Sequence, residues 1–136
     1  MSTFAKSILA MSFILGTFSV ANANENPWKR VCRQNNGVFW VLNVQTPNEI
    51  PLCVFGEAAI GAETFFNHKL GNETQAVEAY NRNAICRQYD GRRIQGTDTD
   101  RKTWTVCVMA DGSYIELNTL DRGMNSPLNA LLNQAL

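Results

Sequence analysis

The side chains in this 136-residue chain that could do chemistry are four cysteines, one histidine, and a scatter of arginines and carboxylates. Cys32, Cys53, Cys86 and Cys107 would suit a zinc site or a redox pair only as thiolates, and both roles favour closely spaced ligands such as Cys-x-x-Cys. The nearest neighbours here are 21 positions apart, so the cysteines read as two structural bridges and no metal site is expected. His68 is the single imidazole, which removes any arrangement needing two and leaves it the sole base near neutral pH. It sits in the polar run Asn67-His68-Lys69, where a solvated side chain is the ordinary outcome. No Gly-x-Ser-x-Gly turn and no phosphate loop is present. A small hydrolase using His68 is therefore the enzymatic alternative, and the expectation is no catalytic site and no cofactor.

The cysteines belong to a sentence written twice. Val31-Cys32-Arg33-Gln34 with Gly37 returns as Ile85-Cys86-Arg87-Gln88 with Gly91, and Cys53-Val54 returns as Cys107-Val108, always 54 positions later. Four cysteines permit three connectivities. A unit that closed its own ring before being duplicated would keep doing so, which selects Cys32 to Cys53 and Cys86 to Cys107. Each ring should add about 3 kcal/mol by restricting the unfolded chain. The same repeat places Arg33 and Arg87 at matching positions, each followed by Gln, where two guanidinium forks could face a carboxylate or a partner. Arg92 and Arg93, with Arg82, extend this into the one local basic cluster. The plainer reading is that such arginines pair with neighbours, as Arg87 would with Asp90. Glu57 and Asp111 also match between copies, although an Asp before Gly is explained by turn chemistry alone.

Residues 1–23 read as a secretory signal peptide: Lys6, a mainly apolar stretch from Ile8 to Val20, then Ala21-Asn22-Ala23 with cleavage after Ala23. The apolar stretch is too short for a membrane span, which takes roughly 20 residues, so no stable membrane anchor is expected after cleavage. The expected location is periplasmic or secreted, where thiols oxidise. Without Lys6 the chain has 11 basic and 12 acidic residues, a net charge of −1 with His68 neutral. That balance argues against a nucleic-acid partner, which demands a basic excess.

The remaining sequence predicts an α+β fold of two similar units, residues 24–71 and 72–136, each a helix followed by three antiparallel strands. In the first, Asn26-Pro27 starts a helix that Gly37 ends in a left-handed conformation. Val38 to Val44 and Ile50 to Phe55 flank the turn Thr46-Pro47-Asn48-Glu49 as a hairpin, and Ala59 to His68 supplies a third strand. In the second, Asn72 caps a long helix reaching Asp90-Gly91, with Gln75 in the reciprocal position. Arg92 to Thr97, Lys102 to Met109 and Tyr114 to Leu117 are its strands. Ser126-Pro127 starts a closing helix whose Leu128, Leu131, Leu132, Ala135 and Leu136 form a stripe expected to pack on the core. Trp40 and Trp104 are expected to pack the sheet, or to mark a binding face if exposed.

A short helix ending in Cys, a Gly five residues on, a second Cys opening a strand, then Asp-Gly-Ser, an acidic residue and Thr-Leu is a familiar series. It resembles a family of small exported bacterial domains of unknown function that carry a hemolysin label, here in tandem copies. The likeness is carried by Cys86 and by Cys107-Val108-Met109-Ala110-Asp111-Gly112-Ser113-Tyr114-Ile115-Glu116 with Thr119-Leu120. The first copy, Cys32 to about Asn67, is degenerate, with Gly56-Glu57-Ala58-Ala59 in place of Ala110-Asp111-Gly112-Ser113. Family members often carry two more cysteines after that turn. This chain has Ile60 and Ile115 there, which implies that packing replaces a covalent link. The functional expectation is an exported, disulfide-stabilised, non-enzymatic module that binds a protein or an envelope component through strand edges or the Arg-bearing helix face. The family label adds a membrane-active alternative. The mature chain's most apolar strand, Val38 to Leu42, is shorter than the about ten residues that a membrane strand needs.

Overall fold

The computed structural model describes residues 25–44 and 49–136. The expected signal peptide and the expected turn Thr46-Pro47-Asn48 lie outside the described residues. Helix α1 (Pro27–Gln34) starts as its sequence demands, with Asn26 Oδ1 accepting from the Trp28 N–H at 2.8 Å and Pro27 opening the first turn. Strands β1 (Val38–Asn43), β2 (Glu49–Phe55) and β3 (Ala58–Gly61) follow as an antiparallel meander. Helix α2 (Ala62–Lys69) and helix α3 (Gln75–Asn81) lead to a 3-10 turn at Cys86–Tyr89. Strands β4 (Arg92–Thr97), β5 (Thr103–Val108) and β6 (Tyr114–Glu116) form a second meander, then come helix α4 (Leu117–Arg122), a 3-10 turn at Pro127–Asn129 and helix α5 (Ala130–Ala135).

The six strands close into one antiparallel barrel in the order β1-β2-β3-β6-β5-β4. Two antiparallel sheets were the expectation; here their outer strands meet and form two seams. Alternation along the strands produces two cores. Leu42, Ile50, Leu52, Val54, Ala59, Trp104 and Val106 all come from strands and fill the barrel. The opposite phase, with Cys53, Phe55, Ile60, Cys107 and Ile115, packs against Phe65 of α2, Val77 and Tyr80 of α3, Leu120 of α4 and Leu132 of α5.

Several local expectations are corrected. The third strand of the first half stops at Gly61, and Thr64-Phe65-Phe66 is helical. Ala62 and Phe65 then fall on one buried face, with Glu63 in the first turn and His68 and Lys69 in the last, as the helix dipole favours. β-propensity at Thr64 to Phe66 is overridden by that packing. In the second half the third strand, expected from Tyr114 to Leu117, is found at Tyr114–Glu116, and it hands over at the cap Glu116 to α4, a helix the sequence reading did not include. Thr74, not Asn72, caps α3, its Oγ1 accepting from the Val77 N–H at 3.4 Å. The long helix expected to reach Asp90 is broken at Asn83, whose φ is +53°, and resumes only as the 3-10 turn. The closing stripe splits as well: Leu132 and Ala135 are buried, but Leu128 and Leu131 are 51% and 55% exposed.

Both disulfides have the expected pairing. Cys32–Cys53 and Cys86–Cys107 each close a 21-residue separation, with Cα atoms 5.6 and 5.8 Å apart. The glycine five residues after each first cysteine has a different purpose from the one its sequence context suggests. The left-handed residues are Asn36 (φ +67°) and Asp90 (φ +51°). Gly37 and Gly91 instead lie against sulfur: a Cβ on Gly37 would stand 2.5 Å from Cys53 Sγ and 2.9 Å from Cys32 Sγ. On Gly91 it would stand 2.5 Å from both Cys107 Sγ and Cys86 Sγ. A methyl group there must displace a bridge that is itself buried. Gly91→Ala is therefore expected to cost about 1–3 kcal/mol, the usual range for overpacking. Urea unfolding of the oxidised protein measures it, and an unchanged midpoint would refute the steric account.

A candidate binding groove along the open edge of β1

The two seams of the barrel are built differently. At the β3–β6 seam the single registered pair is Ile60 with Ile115, both fully buried. The backbone on either side is satisfied by side chains from the helices that follow. The Ala59 N–H donates to Thr119 Oγ1 at 3.0 Å, and the Tyr114 N–H donates to Thr64 Oγ1 at 3.0 Å. Thr119 also donates from its hydroxyl to Glu116 Oε1 at 2.8 Å. Little is left for another chain to pair with.

The β1–β4 seam also has one registered pair, Asn43 with Thr97, but it lies at the C-terminal ends of both strands. One further antiparallel step would set Asp98 opposite Leu42. The chain instead reverses at Asp98. Its Oδ1 accepts from the N–H groups of Asp100 (2.8 Å) and Lys102 (2.9 Å), and its Oδ2 accepts from Trp104 Nε1 (2.8 Å). Its backbone N–H donates to the Lys102 carbonyl at 3.0 Å, and Arg101 takes the left-handed conformation this turn needs, with φ +63°. The hydrogen bond from Trp104 is the largest cause holding the Asp98 carboxyl below the usual carboxylate range, helped by the two backbone N–H groups and the Lys102 charge against the effect of burial.

Because the turn pulls β4 away, Val38 to Leu42 have no strand on that side. In a strand, alternate residues direct both N–H and C=O toward one neighbour. The vacated space is a groove of about 290 Å³ lined by Phe39, Trp40 and Val41 on one side and Asp98, Thr99 and Asp100 on the other. Trp40 stands edge-on to Trp104, ring centroids 5.5 Å apart, and Lys102 Nζ lies 4.6 Å over Trp104. Val38 is 53% exposed. Edge strands are ordinarily guarded by charge or proline, and β1 has neither. β4, across the seam, opens with exposed Arg92 and Arg93.

The other candidate residues are dispersed. Arg33 is exposed on α1 and pairs with Glu25 at 3.2 Å. Arg87 is exposed on the 3-10 turn, and no ion pair links it to Asp90 among the described residues. Glu57 and Asp111 do not meet. Asp111 Oδ1 accepts from the Ser113 N–H at 3.0 Å, its Oδ2 accepts from the Gln75 N–H at 2.9 Å, and Gln75 Oε1 accepts from the Asp111 N–H at 3.0 Å. That carboxylate locks a turn to the start of α3. His68 lines a groove of about 330 Å³ with Glu73, Thr74, Glu78 and Arg82. Burial, then the Lys69 charge, lowers its pKa, and its ring has no hydrogen-bond partner among the described residues. Glu78 is engaged with Arg82 at 3.1 Å. No group of three or more metal-ligating side chains gathers among the described residues, and none of their helices is long and apolar enough to cross a membrane.

Sequence reasoning placed Trp40 and Trp104 in extended runs but did not single out the β1 edge. The available signal was the uncharged run Val38 to Leu42, set against Arg92-Arg93 at the matching positions of the second half. The chain matches no protein family, curated protein or solved structure with which it was compared.

The depressed carboxyl of Asp98 predicts a specific acid response. Its contribution to stability is present above the unfolded pKa of about 3.9 and is lost as pH falls through the lower folded value. Asp98→Asn should therefore be less stable than the parent at neutral pH, with the gap closing below about pH 4. Urea midpoints across that range test it, and a gap that stays constant with pH would contradict it.

Proposed function

We propose that this protein is an exported, disulfide-stapled, non-enzymatic binding module that takes up an extended segment of an envelope or secreted protein partner by strand addition to β1. The observation that carries this reading is the uncharged, unpaired edge of Val38 to Leu42 beside the Trp40 groove. Strand addition uses main-chain hydrogen bonds for affinity and side-chain pockets for selectivity, and the groove offers both. Several polar groups that might otherwise be reactive are used by the fold. Asp98 and Asp111 hold turns, Glu116 caps α4, and the four sulfurs are bridged.

Export by residues 1–23 supplies an oxidising compartment in which the bridges form. Duplication of one ancestral unit is supported by the 54-residue spacing of the cysteines. The seam adds a second correspondence: Ala59 to Tyr114 and Thr64 to Thr119 are each 55 apart, because the paired residues Cys107 and Ile115 are one position farther apart in the chain than the paired residues Cys53 and Ile60. This reading needs no cofactor and no nucleic-acid partner, and no anchor in the membrane after signal cleavage. Arg33, Arg87, Arg92 and Arg93 are assigned to the surface that flanks the docked partner, not to its recognition.

Photo-crosslinking tests the proposal. A photoreactive phenylalanine analogue in place of Val38 is expected to trap a discrete envelope protein in cells, and the same analogue in place of Leu70 is not. Equal trapping at both positions would overturn the edge assignment. Dose-dependent dye release from liposomes by the mature protein would replace the binding reading with the membrane-active one.

A further inference from the structure

The β1 groove has a chemical character of its own, distinct from that of the whole chain. Its lining includes two aromatic residues on opposite faces of β1, Phe39 toward the helical layer and Trp40 toward the barrel core, and its ionisable groups are the two carboxylates Asp98 and Asp100. Asp98 is already saturated by three N–H donors, yet it retains its negative charge. Asp100 is exposed, and its carboxylate has no hydrogen bond or ion pair among the described residues. Two cations stand on aromatic rings beside the groove, Lys29 Nζ 6.0 Å over Phe39 and Lys102 Nζ 4.6 Å over Trp104, and neither lines it. A groove lined by both a tryptophan and a free carboxylate is suited to a lysine or arginine side chain, which can gain a cation–π contact from one and a charge-assisted hydrogen bond from the other.

Resting on the strand-addition reading above, we propose that the groove selects an extended protein segment with a cationic side chain at the position facing Trp40, flanked by β-branched residues. A strand pairing with β1 alternates its side chains, so a single residue enters the groove between Trp40 and Asp100 while its neighbours point away. The backbone pairing is indifferent to sequence, and the groove supplies the discrimination. An anionic side chain at that position would face two like charges with no cation among the groove's lining residues.

Synthetic peptides test this on the intact oxidised protein. One alternates valine and threonine around a central lysine, and its twin carries glutamate there. Isotope-labelled protein reports binding at the amides of Val38 to Leu42, and tryptophan fluorescence reports affinity. The lysine peptide is expected to bind about tenfold more tightly than its twin, a difference of about 1.4 kcal/mol. Asp100→Asn, an exposed and nearly isosteric change, should reduce that preference several-fold without altering the unfolding midpoint. Equal binding of both peptides at β1 would overturn the charge preference and leave strand addition standing. No perturbation of the β1 amides by either peptide would overturn both.

Discussion

Two buried sulfur bridges, each pressed against a glycine that has no room for a methyl group, form the constraint from which the rest of this fold follows. Each bridge ties the element before a meander to that meander's middle strand: α1 to β2 through Cys32–Cys53, and the 3-10 turn to β5 through Cys86–Cys107. All four sulfurs lie in the core between barrel and helices, not inside the barrel. The bridges therefore fix how the helical layer sits on the outer face of the sheet. A chain of this size buries only about two-thirds of its unfolded surface, so covalent restriction of the unfolded state is a substantial part of its stability. The glycines make this possible sterically, since Gly37 and Gly91 let the backbone approach the sulfurs more closely than any side chain would allow.

With the layers fixed, the barrel still has to close at two seams, and it does so asymmetrically. At β3–β6 the strands are too short to pair beyond Ile60 and Ile115, and the leftover amides are taken by threonines from the helices that follow. Thr64 serves the strand of the other half and Thr119 returns the service, so the halves are locked by reciprocal polar contacts on either side of an apolar pair. Unpaired amides are costly only where water cannot reach them, and here they are buried. At β1–β4 the equivalent amides border the groove lined by Trp40 and Asp100, so nothing forces the protein to satisfy them internally. Asp98 moves the chain away from that edge while meeting its own hydrogen-bonding needs in the turn.

The covalent frame was legible in the sequence because the cysteines recur at equal spacings, and a spacing can be read without knowing the side chains between. Individual helix starts were legible where a short-range signal suffices, as at Asn26-Pro27 and Ser126-Pro127. Thr64-Phe65-Phe66 misled because its residues favour strands, and only the packing of Phe65 against Phe55, ring centroids 5.2 Å apart, makes a helix the better solution. The α3 segment misled in the opposite way: Val77, Tyr80, Ala84 and Ile85 have helical spacing, yet Asn83 turns left-handed and ends the helix within that pattern. Barrel closure and the vacant edge of β1 depend on contacts between residues more than 50 positions apart, which no local pattern encodes. The meaning of Gly37 and Gly91 was hidden for the same reason, since the sulfurs that exclude a side chain come partly from a distant strand.

β1 and β4 open with different side chains at corresponding places in the two meanders. At 54-residue spacing Val38, Phe39 and Trp40 correspond to Arg92, Arg93 and Ile94, and each trio opens a strand of the same meander at the same seam. Paired arginines at the start of a strand protect its edge against unwanted partners, because an incoming chain must desolvate them. Valine and two aromatics do the reverse: they lower the cost of docking and enlarge the apolar area covered on contact. One is guarded and one is not, and the unguarded one borders the groove that holds Trp40 and the free carboxylate of Asp100. A fold contributes the edge, and the side chains decide whether it is shielded or offered. In this protein the first half offers it and the second half shields it.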